Sequence, residues 1–292
     1  MMKRAAAVVL PSMIGLLISV TSGNARAEGL VVPKKVKAGD DAAPTPPPPI
    51  NWLDYNARPL TLGTGMMGIS GNLVADISAN NWGKPLWLIP HFYYGVSDKL
   101  TVGITGNPKA EFFPTAGGFC MSSSAYCPKV FIPNNVSFDL LFSFNRAAMM
   151  EVAFHGGLDL GAFDPFTAAG RGGLLVKIRI NELVAILADP SISAGITRRD
   201  FGNKEYLSVP IRVGFQFHPQ VNAGLITGVN GAPATFADSY QVPLGLSALA
   251  ALNEKLDVAV NLTFPTVAGN VPILNTSHLD YRSVALIVNY RM

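Results

Sequence analysis

Between Tyr206 and Phe217 the chain alternates without a break. Leu207, Val209, Ile211, Val213, Phe215 and Phe217 share one parity; Tyr206, Ser208, Pro210, Arg212, Gly214 and Gln216 share the other. Successive side chains of a strand point to opposite faces, so this stretch is a strand with one oily face and one small or polar face. The pattern repeats. Phe138, Leu140, Phe142 and Phe144 alternate with Ser137, Asp139, Leu141, Ser143 and Asn145. Leu256, Val258, Val260, Leu262 and Phe264 alternate with Asp257, Ala259, Asn261 and Thr263. Leu174, Val176, Ile178 and Ile180 oppose Lys177 and Arg179. The fold must therefore supply apolar surroundings to one face of many strands.

Short polar breaks divide the alternating runs. Five tight hairpins centre on Ser97-Asp98, Asn145-Arg146, Asn181-Glu182, His218-Pro219 and Asn253-Glu254. Longer connections rich in Gly, Pro, Asn and Ser lie between them, at 107–136, 160–172, 190–204, 230–240 and 266–279, with a further one near 77–84. A first strand at 60–75 and a last at 281–290 bring the expected number to about twelve. Short turns then fall on one side and long loops on the other. That asymmetry is the one expected of an all-β transmembrane antiparallel barrel with periplasmic turns and external loops. Pro90, Pro210 and Pro243 each remove a ladder donor, and 183–196 admits two registers.

A β-sandwich also alternates, but its outward face normally carries dense charge. Here charged residues are 14% of the chain and hydrophobic residues 49%, against about 25% charged in soluble domains. The polar faces are rich in Gly, Ala, Ser and Thr, as a lumen wall can be, while a lipid-facing strand must be apolar and leave no open edge.

Lys3 and Arg4, the apolar run 5–20 and the small-x-small pattern of Ala25 and Ala27 form a secretory signal peptide over 1–27. Its removal takes Lys3, Arg4 and Arg26 and leaves 19 residues of each sign. That balance gives no footing for nucleic acid. Residues 28–59, with Pro46–Pro49, form a proline-rich periplasmic extension, either a tether or a segment folded into the lumen. The barrel is expected over 60–292. Cys120 and Cys127, the two cysteines, stand in the longest loop. In an oxidising compartment they form a staple. Loop 107–136 is open to three roles: constriction, cap or external binding surface.

The final stretch "DYRSVALIVNYRM" puts Val284, Leu286, Val288 and Tyr290 on one face. It resembles the terminal strand of Gram-negative outer-membrane β-barrel proteins, which carry an aromatic residue at or near the end. The resemblance implies residence in the outer membrane, contact with its lipid and insertion by the barrel-assembly machinery. In that class the last residue is commonly Phe. Here Arg291 and Met292 follow Tyr290, so the signal is displaced.

Glu151, His155 and Asp159 share a face, with Lys177 and Arg179 across the next strand pair. Together they read as a mixed-charge strip inside a polar lumen, where opposite charges offset desolvation. Asp139, Arg212 and Asp257 join them as lumen candidates, with Asn222, Asn261 and Gln216. Trp82, Trp87, Phe92, Tyr93, Tyr94, Tyr206, Tyr281 and Tyr290 suit the headgroup level. No serine stands beside His155 as a nucleophile, and two cysteines make a poor metal set. Neither a reaction, a cofactor nor a metal is expected. The function expected is narrow passive passage of ions or small polar solutes. The other reading is a non-channel barrel that serves as anchor, adhesin or envelope-complex component, with 28–59 meeting a periplasmic or envelope partner.

Overall fold

In a computed structural model of the chain, twelve antiparallel strands form one continuous sheet that closes on itself. The structure describes residues 50–78, 82–107, 117–127, 135–147, 149–161, 166–270 and 281–292. The signal peptide expected at 1–27 and most of the extension lie outside the described residues. The strands are β1 (Met67–Asp76), β2 (Leu86–Ser97), β3 (Leu100–Thr105), β4 (Asn135–Arg146), β5 (Met150–Gly161) and β6 (Thr167–Arg179). They continue as β7 (Val184–Ala188, resuming at Ser191–Gly195), β8 (Tyr206–His218), β9 (Val221–Gly231), β10 (Gln241–Ala251), β11 (Leu256–Gly269) and β12 (Ser283–Arg291). Each pairs with its neighbours in sequence, and β1 pairs with β12 from Gly68↔Arg291 to Asp76↔Ser283. Closure removes both sheet edges, the condition a spanning sheet must meet.

All five expected hairpins form, and side chains fasten several of the turns. Asn253 Oδ1 accepts from the amides of Lys255 and Leu256, at 2.8 and 3.0 Å. Asn181 Oδ1 accepts from Leu183 and Val184, at 3.0 and 2.7 Å. A short polar side chain thus satisfies donors that the reversal strands. Register shifts stand beside three of the turns, at Gly95/Ser97, Ser143/Asn145 and Gln216/His218.

Strand β7 is interrupted at Asp189-Pro190 because proline has no N–H to give the ladder. The register survives the gap: Ala188↔Val176 and Ser191↔Gly173 keep the same offset against β6. The Pro190 carbonyl still accepts from Leu174, and Asp189 N–H donates to Pro210. Of the two registers open to 183–196, this is the one adopted.

Three expectations need correction. The first strand starts at Met67, not near residue 60. Leu60, Thr61 and Leu62 instead turn their backbone or hydroxyl groups to the barrel interior. Strand β6 begins at Thr167 and β11 runs to Gly269, so the loops expected at 160–172 and 266–279 are shorter. Trp87 does not sit at the headgroup level. It is 6% exposed and faces inward, as does Tyr93, whose hydroxyl reaches Asp139.

The outward parity carries the apolar band. Phe92, Val102, Phe138, Leu140, Phe142, Phe154, Leu174, Leu246, Val260 and Leu286 are all substantially exposed. A soluble protein rarely leaves so extended a patch uncovered. Trp82, 78% exposed, stands on the β1–β2 loop. Cys120 and Cys127 are joined and buried. Phe119 and Cys120 pair with Leu88 and Trp87, beside β2 where β3 has ended. The described part of the long loop therefore extends the wall. Its disulfide belongs to an inner apolar cluster with Val74, Trp87, Ile89, Leu249 and Ile287.

Candidate functional site

The inward parity of the strands sets the chemistry of the lumen. At the short-turn end, Arg58 donates through both terminal nitrogens to the two oxygens of Asp257, at 2.7 Å each. Arg291 of β12 binds the same carboxylate at 2.6 and 3.0 Å. Asp257 is fully buried, and two guanidinium forks saturate its lone pairs.

Arg58 belongs to the stretch before β1, which spans the mouth. Asn56 donates to the carbonyl of Leu183 and accepts from Asn222 of β9, both at 3.1 Å. Leu60 N–H donates to Glu151 of β5 at 3.0 Å, and Leu62 N–H to Thr101 of β3 at 2.8 Å. On a ring of twelve strands, β3 faces β9 and β5 faces β11. The segment is thus tied to opposite sides and crosses the lumen. Its path continues to Gly95, whose N–H and carbonyl bond Met66 and Gly65. A Cβ on Gly95 would lie 2.0 Å from the Gly63 carbonyl oxygen, so only glycine admits the crossing there.

The mixed-charge strip divides into two clusters. Glu151 meets Arg146 at 3.3 Å and Lys177 at 3.7 Å, and Lys177 also donates to the carbonyl of Arg58. Further along the axis, His155 lies between two carboxylates: Nδ1 is 3.0 Å from Asp189 and Nε2 3.0 Å from Asp139. Arg171 reaches Asp139 at 2.5 Å and Asp159 at 3.4 Å. Among the described residues Arg179 enters neither cluster, and its Nε has no hydrogen-bond partner there. Arg212 stands alone on β8, bonded to Asn222 and Ser247 and lying over the Tyr55 ring at 4.3 Å.

Arg58, Arg171, Asp189 and Arg291 are partners that the sequence reading missed. Arg171 has the parity of Lys177 and Arg179, which would have exposed it had β6 been extended backwards. Asp189 shares the parity of Leu187 and precedes the proline that seemed to end its strand. Arg58 carries no periodic signal.

A cavity of about 310 Å³ occupies the lumen. Trp52 and Tyr55 line it at the crossing segment, and Lys177, His155, Arg212 and Asn107 line it further in. Its β4–β7 side holds the charged clusters. The β1–β2 and β10–β12 side combines an apolar cluster around Val74, Ile89, Leu249 and Ile287 with the polar groups of Asn72, His91, Ser247, Asn261 and Asn289.

No family model matches the chain, and no curated protein matches it in sequence. Its backbone is similar to that of the NanC porin, with a TM-score of 0.50 at 7% identity, over 77% of this chain and 100% of that one. The KdgM porin gives 0.49 at 7% identity, over 76% and 98%. OmpT of Vibrio cholerae gives 0.38 at 8% identity, over 81% and 100%. At such identities the similarity is one of fold alone.

Proposed function

From its place in the outer membrane as a β-barrel of porin-like architecture, we propose that the chain is a narrow passive channel for ions or small polar solutes. Its periplasmic mouth is throttled by residues 52–66. The observation that carries this reading is the lumen cavity of about 310 Å³, walled by charged and amide groups and floored by that segment. A barrel needed only as an anchor has no use for buried charge, which costs desolvation energy wherever it is not fully paired. Glu151, Lys177, Asp139, His155, Asp159 and Arg179 set the field along the path, and barrel width with the crossing segment sets the size limit.

The crossing segment also favours a second reading, a permanently closed barrel acting as anchor, adhesin or envelope component, with a periplasmic or envelope partner reached through residues 28–59. Single-channel conductance in planar bilayers separates the two. The refolded mature chain is expected to give small discrete openings, and a form lacking residues 28–62 larger ones. Silence from both, with the barrels folded, overturns the channel and leaves the closed barrel.

A further inference from the structure

Among the described residues, the buried formal charges of the barrel are Arg58, Arg171, Lys177, Arg212 and Arg291 against Asp139, Glu151, Asp189 and Asp257. Arg58 and Arg291 share Asp257, Arg171 holds Asp139, and Lys177 approaches Glu151, while Asp189 faces His155. Arg212 is left over. No described carboxylate comes within ion-pair distance of it, yet it is 4% exposed and lines the lumen cavity. An arginine stays charged in a protein, so this is a desolvated cation whose polar partners are all neutral.

Its geometry is that of a group held ready. Nη2 donates to Asn222 Oδ1 at 2.6 Å and to Ser247 at 3.2 Å, and Nε donates to Ser247 at 3.3 Å. The Tyr55 ring covers one side of the guanidinium. Arg212 reaches Ser247 by lying across Gly224 of β9. A Cβ there would come within 2.6 Å of Nε and 3.0 Å of Nη2. Three side chains and one glycine thus fix the plane of the guanidinium, and Nη1 alone of its nitrogens donates to no described residue.

We propose that Arg212 is a recognition site for the carboxylate of a small organic anion that enters the lumen. Nη1, the nitrogen whose hydrogens remain unengaged, can donate a charge-assisted hydrogen bond to a carboxylate oxygen, and the low-dielectric surroundings strengthen the pairing. Amide and hydroxyl groups of Ser247, Asn261 and Asn289, which line the same cavity, suit a hydroxylated body attached to that carboxylate. The cavity falls within the size range of small-ligand sites. The site rests on the channel reading for its route of access, and it names the solute class of that channel.

Gluconate is the probe. Calorimetric titration of the refolded full-length barrel in low-chloride buffer is expected to show saturable binding. Arg212→Gln is expected to weaken it by about tenfold or more, and Arg212→Lys, which keeps the charge and loses the planar head seated on Asn222 and Ser247, by only a few-fold. Gly224→Ala keeps the arginine and crowds it off its seat, so binding weakens with the charge intact. It decides the matter if the glutamine variant does not refold. No binding to the wild type, or equal binding to all variants, overturns the proposal. Reversal potentials in a gradient of sodium gluconate read the route separately. Binding without conduction sinks the channel and leaves the site; conduction without binding, unchanged by Arg212→Gln, sinks the site and leaves the channel.

Discussion

Asp257 is buried and is the carboxylate that Arg58 and Arg291 share. Asp257→Ala leaves both cations uncompensated, and truncating one side of a buried pair costs about 3–5 kcal/mol. Urea unfolding from lipid vesicles should register that loss. Arg58→Ala leaves the carboxylate with Arg291, so the barrel should lose less stability while the mouth loosens and conductance rises. Asp98, in the β2–β3 turn, tests the same segment by pH. The Thr64 backbone N–H, and then its hydroxyl, hold the Asp98 carboxyl below its ordinary value. A depressed carboxylate supports the fold above its unfolded value and ceases to as the pH falls through its folded one. The protection factor of the Thr64 amide, its exchange corrected for the intrinsic effect of pH, should therefore fall at acid pH, modestly because the pair is exposed, and Asp98→Asn should abolish that change. The parity of Asp257 among Val258, Val260 and Leu262 made it legible from the sequence. Arg58 was not, because a segment that crosses a lumen has no facing wall to impose a period.

At the level of strands and turns, period-two alternation and Asn-rich reversals revealed nearly every hairpin, since each strand has lipid on one side only. Strand ends were less legible. Residues 167–172 read as a loop because their outward side chains shrink to Ala168, Gly170 and Gly172, so the contrast between faces fades. Residues 60–66 read as strand because they are apolar, although the lumen mouth takes them instead. The role of the long loop followed from pairing that no local pattern reports. Phe119 and Cys120 continue the sheet beside β2, and Met121 N–H donates to Leu86 at 2.8 Å. Replacing Cys120 and Cys127 together with serine should leave the barrel closed while freeing this edge. A staple around so short a loop is worth about 2–3 kcal/mol, so the Met121 amide should lose protection by a corresponding factor in hydrogen exchange.

Over the molecule as a whole, the sorting of charge is what net charge conceals. Residues 28–292 balance 19 basic against 19 acidic side chains, and the described strands keep their outward mid-strand surface apolar and concentrate paired ions within. Leu246, mid-strand on β10 and 56% exposed, tests the lipid face. Leu246→Arg should cost about 2–4 kcal/mol on insertion into bilayers, while Leu252→Arg, in the turn below it, should cost little. Equal penalties at both positions would mean that the apolar band is not where the membrane lies. The tie between Arg58 and Asp257 joins residues 199 apart in the chain, and Arg291 comes from the strand that closes the cylinder. Contacts so distant cannot reward the chain until the loop between them is closed. The stretch just ahead of the first strand is therefore translated early and seated late. Until β11 and β12 arrive Arg58 has no carboxylate to grip, and its seating on Asp257 reports that the cylinder is closed.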